Sequence, residues 1–266
     1  MVEMVTSGDR GATVADKAAD KGGLKGLFVS EIVRALQDGD VDLAVHSAKD
    51  LPSEDPEGIV VAAVPVREKP WDVLITRDGT LPQGAVVGTV SLRRRGQLLR
   101  MRPDVTVVDL RGNVDTRLSK VTDGTVDATL LAAAGLSRLG IEPSHAEAMD
   151  MDEMVPAPGQ ACLAIQTRVG EEHPVSLLDH VQSHSAFHAE RRVMDLLGGG
   201  CALPLGAYAT VEADGTLQLR AVVFEPDGSA LVRADAASDD SEEAAQLAYE
   251  QLLAGGAGEI LARVMG

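Results

Sequence analysis

Residues 86–131 decide the fold, and they read VVGTVSLRRRGQLLRMRPDVTVVDLRGNVDTRLSKVTDGTVDATLL. Three short apolar runs in this stretch alternate with two amphipathic segments, which is the pattern of strands separated by helices. Such alternation is typical of a mostly parallel sheet with helices on both of its faces. We therefore expect an α/β fold here, with its strands and helices at Val86–Gly88, Ser91–Arg100, Val105–Val108, Val114–Val121 and Ala128–Leu131.

The chain before this stretch carries further strand and helix signals. Apolar residues recur at helical spacing from Phe28 to Leu36, and Asp38-Gly39 ends the pattern. Asp50 follows a short buried strand, at the end of the strand where ligands bind in open α/β sheets. The strands expected in this part of the chain are Val2–Thr6, Leu43–Val45, Ile59–Val64 and Asp72–Ile75.

The chain after this stretch changes character at a proline- and glycine-containing break over residues 156–159. Leu163–Ile165 then predicts a strand that returns to the first sheet. A helix from Ala186 to Leu197 follows, and then two hairpins with turns at 214–215 and 227–228. A last helix from Ser241 to Leu253 completes a small α+β unit.

These patterns predict three domains, and a chain of 266 residues is long enough to give each a core. The first is discontinuous and comprises residues 1–65 plus 156–178. The second comprises residues 66–155. The third comprises residues 179–266 and carries Cys201.

Charge and composition restrict the classes of partner. A formal net charge of −17 opposes binding to nucleic acids or anionic membranes, because the long-range field repels polyanions. No apolar run is long enough to span a bilayer, and the first residues lack the apolar core of a secretory signal. The two cysteines indicate neither a disulfide framework nor a zinc motif. We expect a monomeric cytoplasmic protein without nucleic-acid or membrane partners.

Basic residues cluster between Arg93 and Arg138, and a solvated face is the simplest interpretation of such a run. However, Ser91–Arg95 and Leu110–Arg117 each open a helix directly after a strand. Free amides at the helix N-termini and guanidinium groups would then converge on one edge of the sheet. This convergence favours a binding site for carboxylate or phosphate groups.

Two other residues could carry chemistry. Cys201 follows three glycines, so its thiolate could serve as a nucleophile or a covalent tether, although an inert small residue is the alternative. Asp50 lies beside Lys49 and could act as a general acid or stabilise a developing cation. An aspartate that caps a turn is the alternative for Asp50.

Three histidines, His180, His184 and His188, recur at every fourth residue, as metal ligands on one helix face would. Ser183 and Ser185 weaken a helix in this segment, and a solvated face accounts for the spacing. We therefore expect no metal site.

Six short segments form a specific ordered set along nearly the whole chain. They are Lys25–Phe28 (KGLF), Val45–Pro52 (VHSAKDLP), Gly88–Arg94 (GTVSLRR), Leu110–Asn113 (LRGN), Ala133–Gly140 (AAGLSRLG) and Gly199–Tyr208 (GGCALPLGAY). The set resembles the porphobilinogen deaminase (hydroxymethylbilane synthase) family. The resemblance implies two periplasmic-binding-protein-like α/β domains around a cleft, plus a small α+β C-terminal domain.

The resemblance also implies an activity. The family is a transferase of tetrapyrrole (porphyrin, haem) biosynthesis that joins four porphobilinogen molecules head to tail into hydroxymethylbilane and releases ammonia. The product grows on a dipyrromethane cofactor, which the resemblance attaches by a thioether to Cys201, and Asp50 is the corresponding catalytic acid. The residues that would bind cofactor and substrate carboxylates are Lys21, Ser47, Lys49, Thr89, Ser91, Arg93, Arg94, Arg111, Gly112, Arg117 and Arg138.

The chain departs from the family pattern at three places. Family members carry a strand, a Gly-Thr-Arg-x-Ser type motif and a helix before the segment that here is Val2–Asp9, so we expect this chain to lack them. Val90 replaces a serine, and residues 159–162 are less glycine-rich than usual, which matters if Ala161 needs a positive φ. A catalytically impaired homologue that only binds small carboxylate-bearing ligands is the alternative interpretation.

Overall fold

A computed structural model describes residues 31–199 and 203–265 of the chain. The strand predicted at Val2–Thr6, Lys21 and Cys201 lie outside these ranges, as does the beginning of the helix predicted from Phe28. The described residues form three sheets, each with its own apolar core. The chain therefore has two α/β units around a cleft and a small α+β unit at its carboxyl end.

The elements alternate along the chain much as their apolar patterns predict. The strands are β1 (Ala44–Ser47), β2 (Ile59–Ala63), β3 (Asp72–Thr76), β4 (Val86–Gly88), β5 (Thr106–Val108), β6 (Ala128–Ala132), β7 (Ala146–Ala148), β8 (Leu163–Arg168), β9 (Leu205–Val211), β10 (Leu217–Phe224) and β11 (Leu231–Ser238). The helices are α1 (31–37), α2 (Leu92–Met101), α3 (Val114–Thr122), α4 (Ala133–Leu139), α5 (Val181–Leu196), α6 (Ser241–Ala254) and α7 (Ala257–Met265). Two short 3-10 helices span Ala48–Asp50 and His173–Leu178.

The first sheet has the order β1-β8-β2, and both of its pairings are antiparallel. Its central strand, β8, comes from the chain beyond the second unit, which confirms that Leu163–Ile165 returns to the first sheet. Leu36 of α1 packs in the core of this unit together with Leu51 and Cys162. Phe187 of α5 joins the same core, so the first and third units share apolar contacts.

The second sheet has the order β5-β4-β6-β3-β7. β4 runs parallel to β5 and β6, whereas β3 runs antiparallel to β6 and β7. Because β3 is antiparallel to both β6 and β7, those two strands run in the same direction, so four of the five strands of this described sheet are aligned as expected and β3 is reversed. β4, β5, β6 and β7 follow one another through α2, α3 and α4, crossover helices that return the chain in the same direction. β3 enters directly from the first unit, without such a helix, and runs the opposite way.

The third unit is an antiparallel sheet, β9-β10-β11, whose two hairpins have the positions predicted from the turn residues. Helices α5, α6 and α7 share its apolar core, with Ala189, Ala248 and Ile260 among the buried contacts. α5 begins at Val181, five residues earlier than predicted, because the side chain of His180 caps its first turn. Helix α4 and strand β7 are elements that the sequence patterns did not predict.

Two side chains fix the helix ends that matter for the cleft. Ser91 caps α2 by accepting a hydrogen bond from the Arg94 amide at 3.4 Å, and Asn113 caps α3 by accepting one from the Thr116 amide at 3.0 Å. Both caps replace backbone partners that the first turn of a helix lacks. The N-termini of α2 and α3 are thereby held at the carboxyl ends of β4 and β5.

Candidate functional site

The cleft is a cavity of about 390 Å³ that the three units line together. Lys49 and Asp50 come from the first unit, and the N-terminal turns of α2 and α3 come from the second. Met194 of α5, with Leu203 and Leu205, comes from the third. The volume lies in the range of small-molecule sites.

Asp50 ends the short helix that follows β1, and it is partly buried at the cleft wall. The backbone of this turn is fixed by a hydrogen bond from the Ala48 amide to the Cys162 carbonyl, at 3.0 Å. Gly159 packs against the same turn: a Cβ at Gly159 would lie 3.1 Å from the Lys49 nitrogen, and its φ is +69°. Only glycine suits both the close approach and the left-handed backbone.

Arg93 and Arg94 line the cleft from the first turn of α2, and both are almost fully buried. Arg93 donates from Nη1 to the Val155 carbonyl at 2.8 Å, and Arg94 donates from Nη1 to the Leu130 carbonyl at 2.8 Å. These contacts fix the two guanidinium planes against the backbone of the second unit.

Asp72, at the start of β3, binds both of these arginines and is fully buried. Arg93 Nη1 lies 2.7 Å from Asp72 Oδ2, and Arg94 Nη2 lies 2.7 Å from Asp72 Oδ1. The side-chain amide of Gln160 donates to Asp72 Oδ1 at 3.1 Å. Sequence reasoning missed this carboxylate, although an aspartate that opens a strand of buried apolar residues is a signal that could have found it.

Burial of Asp72 opposes its ionisation, but the Arg93 and Arg94 guanidinium groups outweigh that effect and hold the pKa of its carboxyl well below the usual range. A pKa that is lower in the folded than in the unfolded chain stabilises the fold above the unfolded value, and the stabilisation is lost as the pH falls. We expect the free energy of unfolding to fall steeply below about pH 4. Urea titrations of the wild type and of Asp72→Asn test this, because the two curves should converge on acidification; parallel curves would contradict it.

Arg117 lines the cleft from α3 and is partly exposed. Its Nε donates to the Gly112 carbonyl at 2.8 Å, and within residues 31–199 and 203–265 it forms no salt bridge. Burial and, secondarily, the charge of Arg94 lower the pKa of Arg117, as expected for converging cations. Gly112 has a φ of +122°, and a Cβ there would meet Thr116 at 2.7 Å, so glycine is required for this turn.

The structure brings seven of the predicted site residues to the cleft wall: Lys49, Asp50, Ser91, Arg93, Arg94, Gly112 and Arg117. Four others do not line the cavity. Ser47 and Arg111 are exposed, and Thr89 is buried with its hydroxyl accepting from the Ser91 amide at 3.1 Å. Arg138 donates from Nη2 to the carbonyl of Ala161 at 2.8 Å, and Ala161 itself has a positive φ of 73°.

Glu190 of α5 is a second buried carboxylate that sequence reasoning missed. Its oxygens accept from Arg67 Nη1 at 2.6 Å, from the Gly159 amide at 2.7 Å and from the Ala209 amide at 2.7 Å. Arg67 also donates from Nε to the Gln160 carbonyl at 2.9 Å. Glu190 therefore ties the third unit to both segments that connect the first unit with the second.

Cys162 is the cysteine that the described residues contain, and it is buried. Burial raises the pKa of its thiol to about 12. At neutral pH Cys162 is therefore a thiol within an apolar core and not a reactive thiolate.

The three histidines around α5 have separate partners. His180 Nδ1 lies 2.9 Å from Ser183 Oγ, His184 Nδ1 lies 2.8 Å from Asp179 Oδ1, and His188 Nδ1 lies 3.0 Å from Ser241 Oγ. In the part of the chain that the structure describes, no group of three or more His, Cys, Asp or Glu side chains is placed to hold a metal ion. None of the helices in that part combines the length and the apolar character that a bilayer crossing needs.

Solved structures offer distant matches. A double mutant of the VFT2 domain of BvgS from Bordetella pertussis has a TM-score of 0.35 and 20% identity, and the match covers 57% of this chain and 65% of that one. The aliphatic sulphonate binding protein SsuA from Escherichia coli has a TM-score of 0.34 and 14% identity, covering 62% and 56% of the two chains. The fold described above rests on the three sheets of the chain itself.

Sequence comparisons reach much closer relatives. The family model "Porphobilinogen deaminase, dipyromethane cofactor binding domain" matches residues 1–175, and "Porphobilinogen deaminase, C-terminal domain" matches residues 185–254. The porphobilinogen deaminase of Brevibacillus brevis is 44% identical over 99% of this chain and 86% of its own length. That of Thermus thermophilus is 45% identical over 97% of this chain and 86% of its own length. The chain belongs to the porphobilinogen deaminase family.

Proposed function

We propose that the chain joins four porphobilinogen molecules head to tail into hydroxymethylbilane, with release of ammonia, in tetrapyrrole biosynthesis. The observation that carries this function is the cleft, where Asp50 faces guanidinium groups supplied by two helix N-termini. Matches over 97–99% of the chain to proteins named porphobilinogen deaminase do not favour the alternative of a carboxylate binder without turnover.

The donors around the cleft suit a cofactor with acidic arms. Dipyrromethane carries acetate and propionate groups, and Arg117 is a cation at the cleft wall without an acidic partner among the described residues. Capped helix N-termini and guanidinium groups are preferred carboxylate binders. When bound, the cofactor supplies the pyrrole carbon to which the next unit is joined. We infer that it and the substrate are held by Lys21, Lys49, Ser91, Arg93, Arg94, Gly112 and Arg117. The proposed set also includes Ser47, Thr89, Arg111 and Arg138, which lie in neighbouring motifs and do not line the described cavity.

Cys201 is the proposed point of attachment. The chain has two cysteines, and Cys162 is buried with its thiol pKa raised to about 12, so it is unsuited to form a thioether with a large group. Leu203, which follows Cys201 by two residues, lines the cleft. On the other side, Gly199 approaches Ser53 so closely that a Cβ would lie 2.5 Å from Ser53 Oγ. These neighbours support a tether that serves this cleft.

Asp50 is the proposed catalytic acid. A carboxyl oxygen of Asp50 would donate a proton to the departing amine of porphobilinogen, and the resulting carboxylate would stabilise the positive charge left on the pyrrole. The arginines would meanwhile neutralise the acetate and propionate groups of the substrate. The position of Asp50 at the end of β1, facing α2 and α3 across the cleft, supports this division of roles.

We further infer that the domains are residues 1–65 plus 156–178, residues 66–155 and residues 179–266. The return of β8 to the first sheet supports the discontinuous first domain. We also infer a monomer, since residues of a single chain line the cleft from three sides. We infer that it acts in the cytoplasm, because its two cysteines form no disulfide framework and suit a reducing compartment.

The function is tested by incubating the purified chain with porphobilinogen. We expect four molecules of ammonia for each linear tetrapyrrole formed, with both products measured in one time course. Saturable binding of porphobilinogen without ammonia release would contradict the transferase and support the carboxylate binder.

Arg117 gives a specific prediction for substrate binding. Replacing Arg117 by Leu should raise the KM for porphobilinogen by about tenfold or more, because a charge-assisted hydrogen bond contributes about 1.5–3 kcal/mol. Arg117→Lys keeps the charge but loses the planar fork, and it should raise KM by less. The control is Arg100→Leu, which removes an exposed arginine of α2 that does not line the cleft. Equal KM values for Arg117→Leu and the control would refute the assignment.

A further inference from the structure

A buried carboxylate partly cancels the positive charge in the wall of the cleft, and the proposed function gives this carboxylate no role. Two guanidinium groups, those of Arg93 and Arg94, line the cavity, and the carboxylate of Asp72 lies directly behind them. Asp72 is fully buried, whereas both arginines border the cavity. The pair therefore presents one net positive charge to a ligand instead of two.

A carboxylate is not the obvious group for this position if the arginines serve only to attract acids. A buried charge is costly to desolvate, and the oxygen of a neutral amide could also accept from Arg94 Nε and Nη2, although its NH2 group would then face Arg93 Nη1. The charge of Asp72 instead weakens the attraction that the pair exerts on any carboxylate in the cleft. A growing product gains acidic arms with every added unit, so an undiminished charge would hold it more tightly at each step.

We propose that Asp72 limits how tightly the Arg93–Arg94 pair retains the growing carboxylate-bearing chain, so that the finished product can leave. This inference rests on the proposed function and adds a residue that sets the affinity of the same site. Asp72 acts through the two arginines and does not line the cavity, so it is a positioning residue. Binding that is equally strong at every stage lowers KM without speeding turnover, and tight product binding slows release.

Gln160 makes the inference testable in both directions. Its Nε2 donates to Asp72 Oδ1 at 3.1 Å, and its Oε1 lies 3.5 Å from Arg93 Nη2. A carboxylate at Gln160 would therefore stand beside the Arg93 guanidinium group, which Asp72 also contacts, and in the double variant it would face the amide of Asn in place of the Asp72 carboxylate. Asp72→Asn raises the net charge of the pair by one, Gln160→Glu lowers it by one, and the double variant restores it.

The experiment measures KM for porphobilinogen and the dissociation rate of hydroxymethylbilane with the purified, cofactor-loaded wild type and the three variants. We expect KM to fall about tenfold in Asp72→Asn and to rise about tenfold in Gln160→Glu. Product dissociation should slow and quicken in the same order. The double variant should return both quantities to within about threefold of the wild type.

A purely structural role for Asp72 gives a different pattern. In that case Asp72→Asn would lose thermal stability, but KM and the rate of product release would not follow the net charge of the Arg93–Arg94 pair across the three variants. That result would overturn the inference. If Asp72→Asn alone does not fold, Gln160→Glu and the double variant decide: unchanged KM and product release in Gln160→Glu would also overturn it. Failure of the wild type to release ammonia would instead overturn the proposed function, so the two failures are distinguishable.

Discussion

Replacing Asp50 by Asn should lower kcat by about 10²- to 10⁴-fold, the range that positioned acid–base groups contribute. The amide has nearly the shape of the carboxyl group, but it can neither transfer a proton to the departing amine nor carry the negative charge that stabilises the pyrrole cation. Asp50 lines the cleft and is partly buried. The backbone of its turn is held by the hydrogen bond of the Ala48 amide and by the packing of Gly159, and the substitution changes neither. Steady-state ammonia release measures the effect.

The matched control is Glu54→Gln, which makes the same chemical change at an exposed carboxylate a few residues away that does not line the cleft. It should keep the wild-type kcat. The pyrrole adduct on Cys201 forms from porphobilinogen with the same loss of ammonia, so it should also form more slowly in Asp50→Asn than in Glu54→Gln. A kcat within threefold of the wild type would remove Asp50 from the proposed mechanism.

Replacing Glu190 by Ala should lower the free energy of unfolding by about 3–5 kcal/mol, the loss typical of a broken buried ion pair. The substitution leaves the Arg67 guanidinium buried without its acidic partner, and it also removes the acceptor for the Gly159 and Ala209 amides. Gly159 packs against the turn that carries Asp50, so we expect kcat to fall as well. Urea unfolding at neutral pH measures the stability.

Glu242→Ala is the control for this prediction. Glu242 lies on α6 and pairs with Arg192, which belongs to the same helix as Glu190, α5. Both side chains of this pair are exposed, and exposed pairs contribute about 0–1 kcal/mol. The two substitutions thus remove chemically identical groups that differ in burial and in the number of partners. Equal losses of stability for Glu190→Ala and Glu242→Ala would contradict the role given to Glu190.

Local signals in the sequence predicted much of the second unit. The elements between Val86 and Leu131 have nearly the predicted ends, because Ser91 and Asn113 are strong helix caps and Gly112 suits a left-handed turn. These features depend on residues within a few positions of each other. The same locality allowed the convergence of α2 and α3 on one cleft to be expected.

Features that depend on distant residues were not predicted. The antiparallel direction of β3 follows from its entry out of the first unit, and nothing within Asp72–Thr76 encodes it. Asp72 is 22 positions from Arg94, and Glu190 is 123 positions from Arg67, so no sequence pattern links either pair. Asp72 is bound by arginines from a distant segment of its own unit, and Glu190 by groups from other segments of the chain, and sequence periodicity describes neither kind of contact.

Sequence motifs predicted which segments of the chain border the cleft, but not which of their side chains line it. Ser47 and Arg111 belong to motifs that border the cleft, but their side chains are exposed outside the cavity wall. Conversely, Gln160 and Met194 line the cavity and carry no signal by themselves. A motif identifies the segment at a site, whereas the direction of each side chain depends on the packing of that segment.

Intact-mass spectrometry of the wild type, Cys201→Ser and Cys162→Ser, each exposed to porphobilinogen, tests most directly whether Cys201 anchors the growing chain. We predict a mass increase of one dipyrromethane in the wild type and in Cys162→Ser, and an unmodified mass in Cys201→Ser. An adduct that persists in Cys201→Ser, or a wild-type chain that never gains one, would contradict the account.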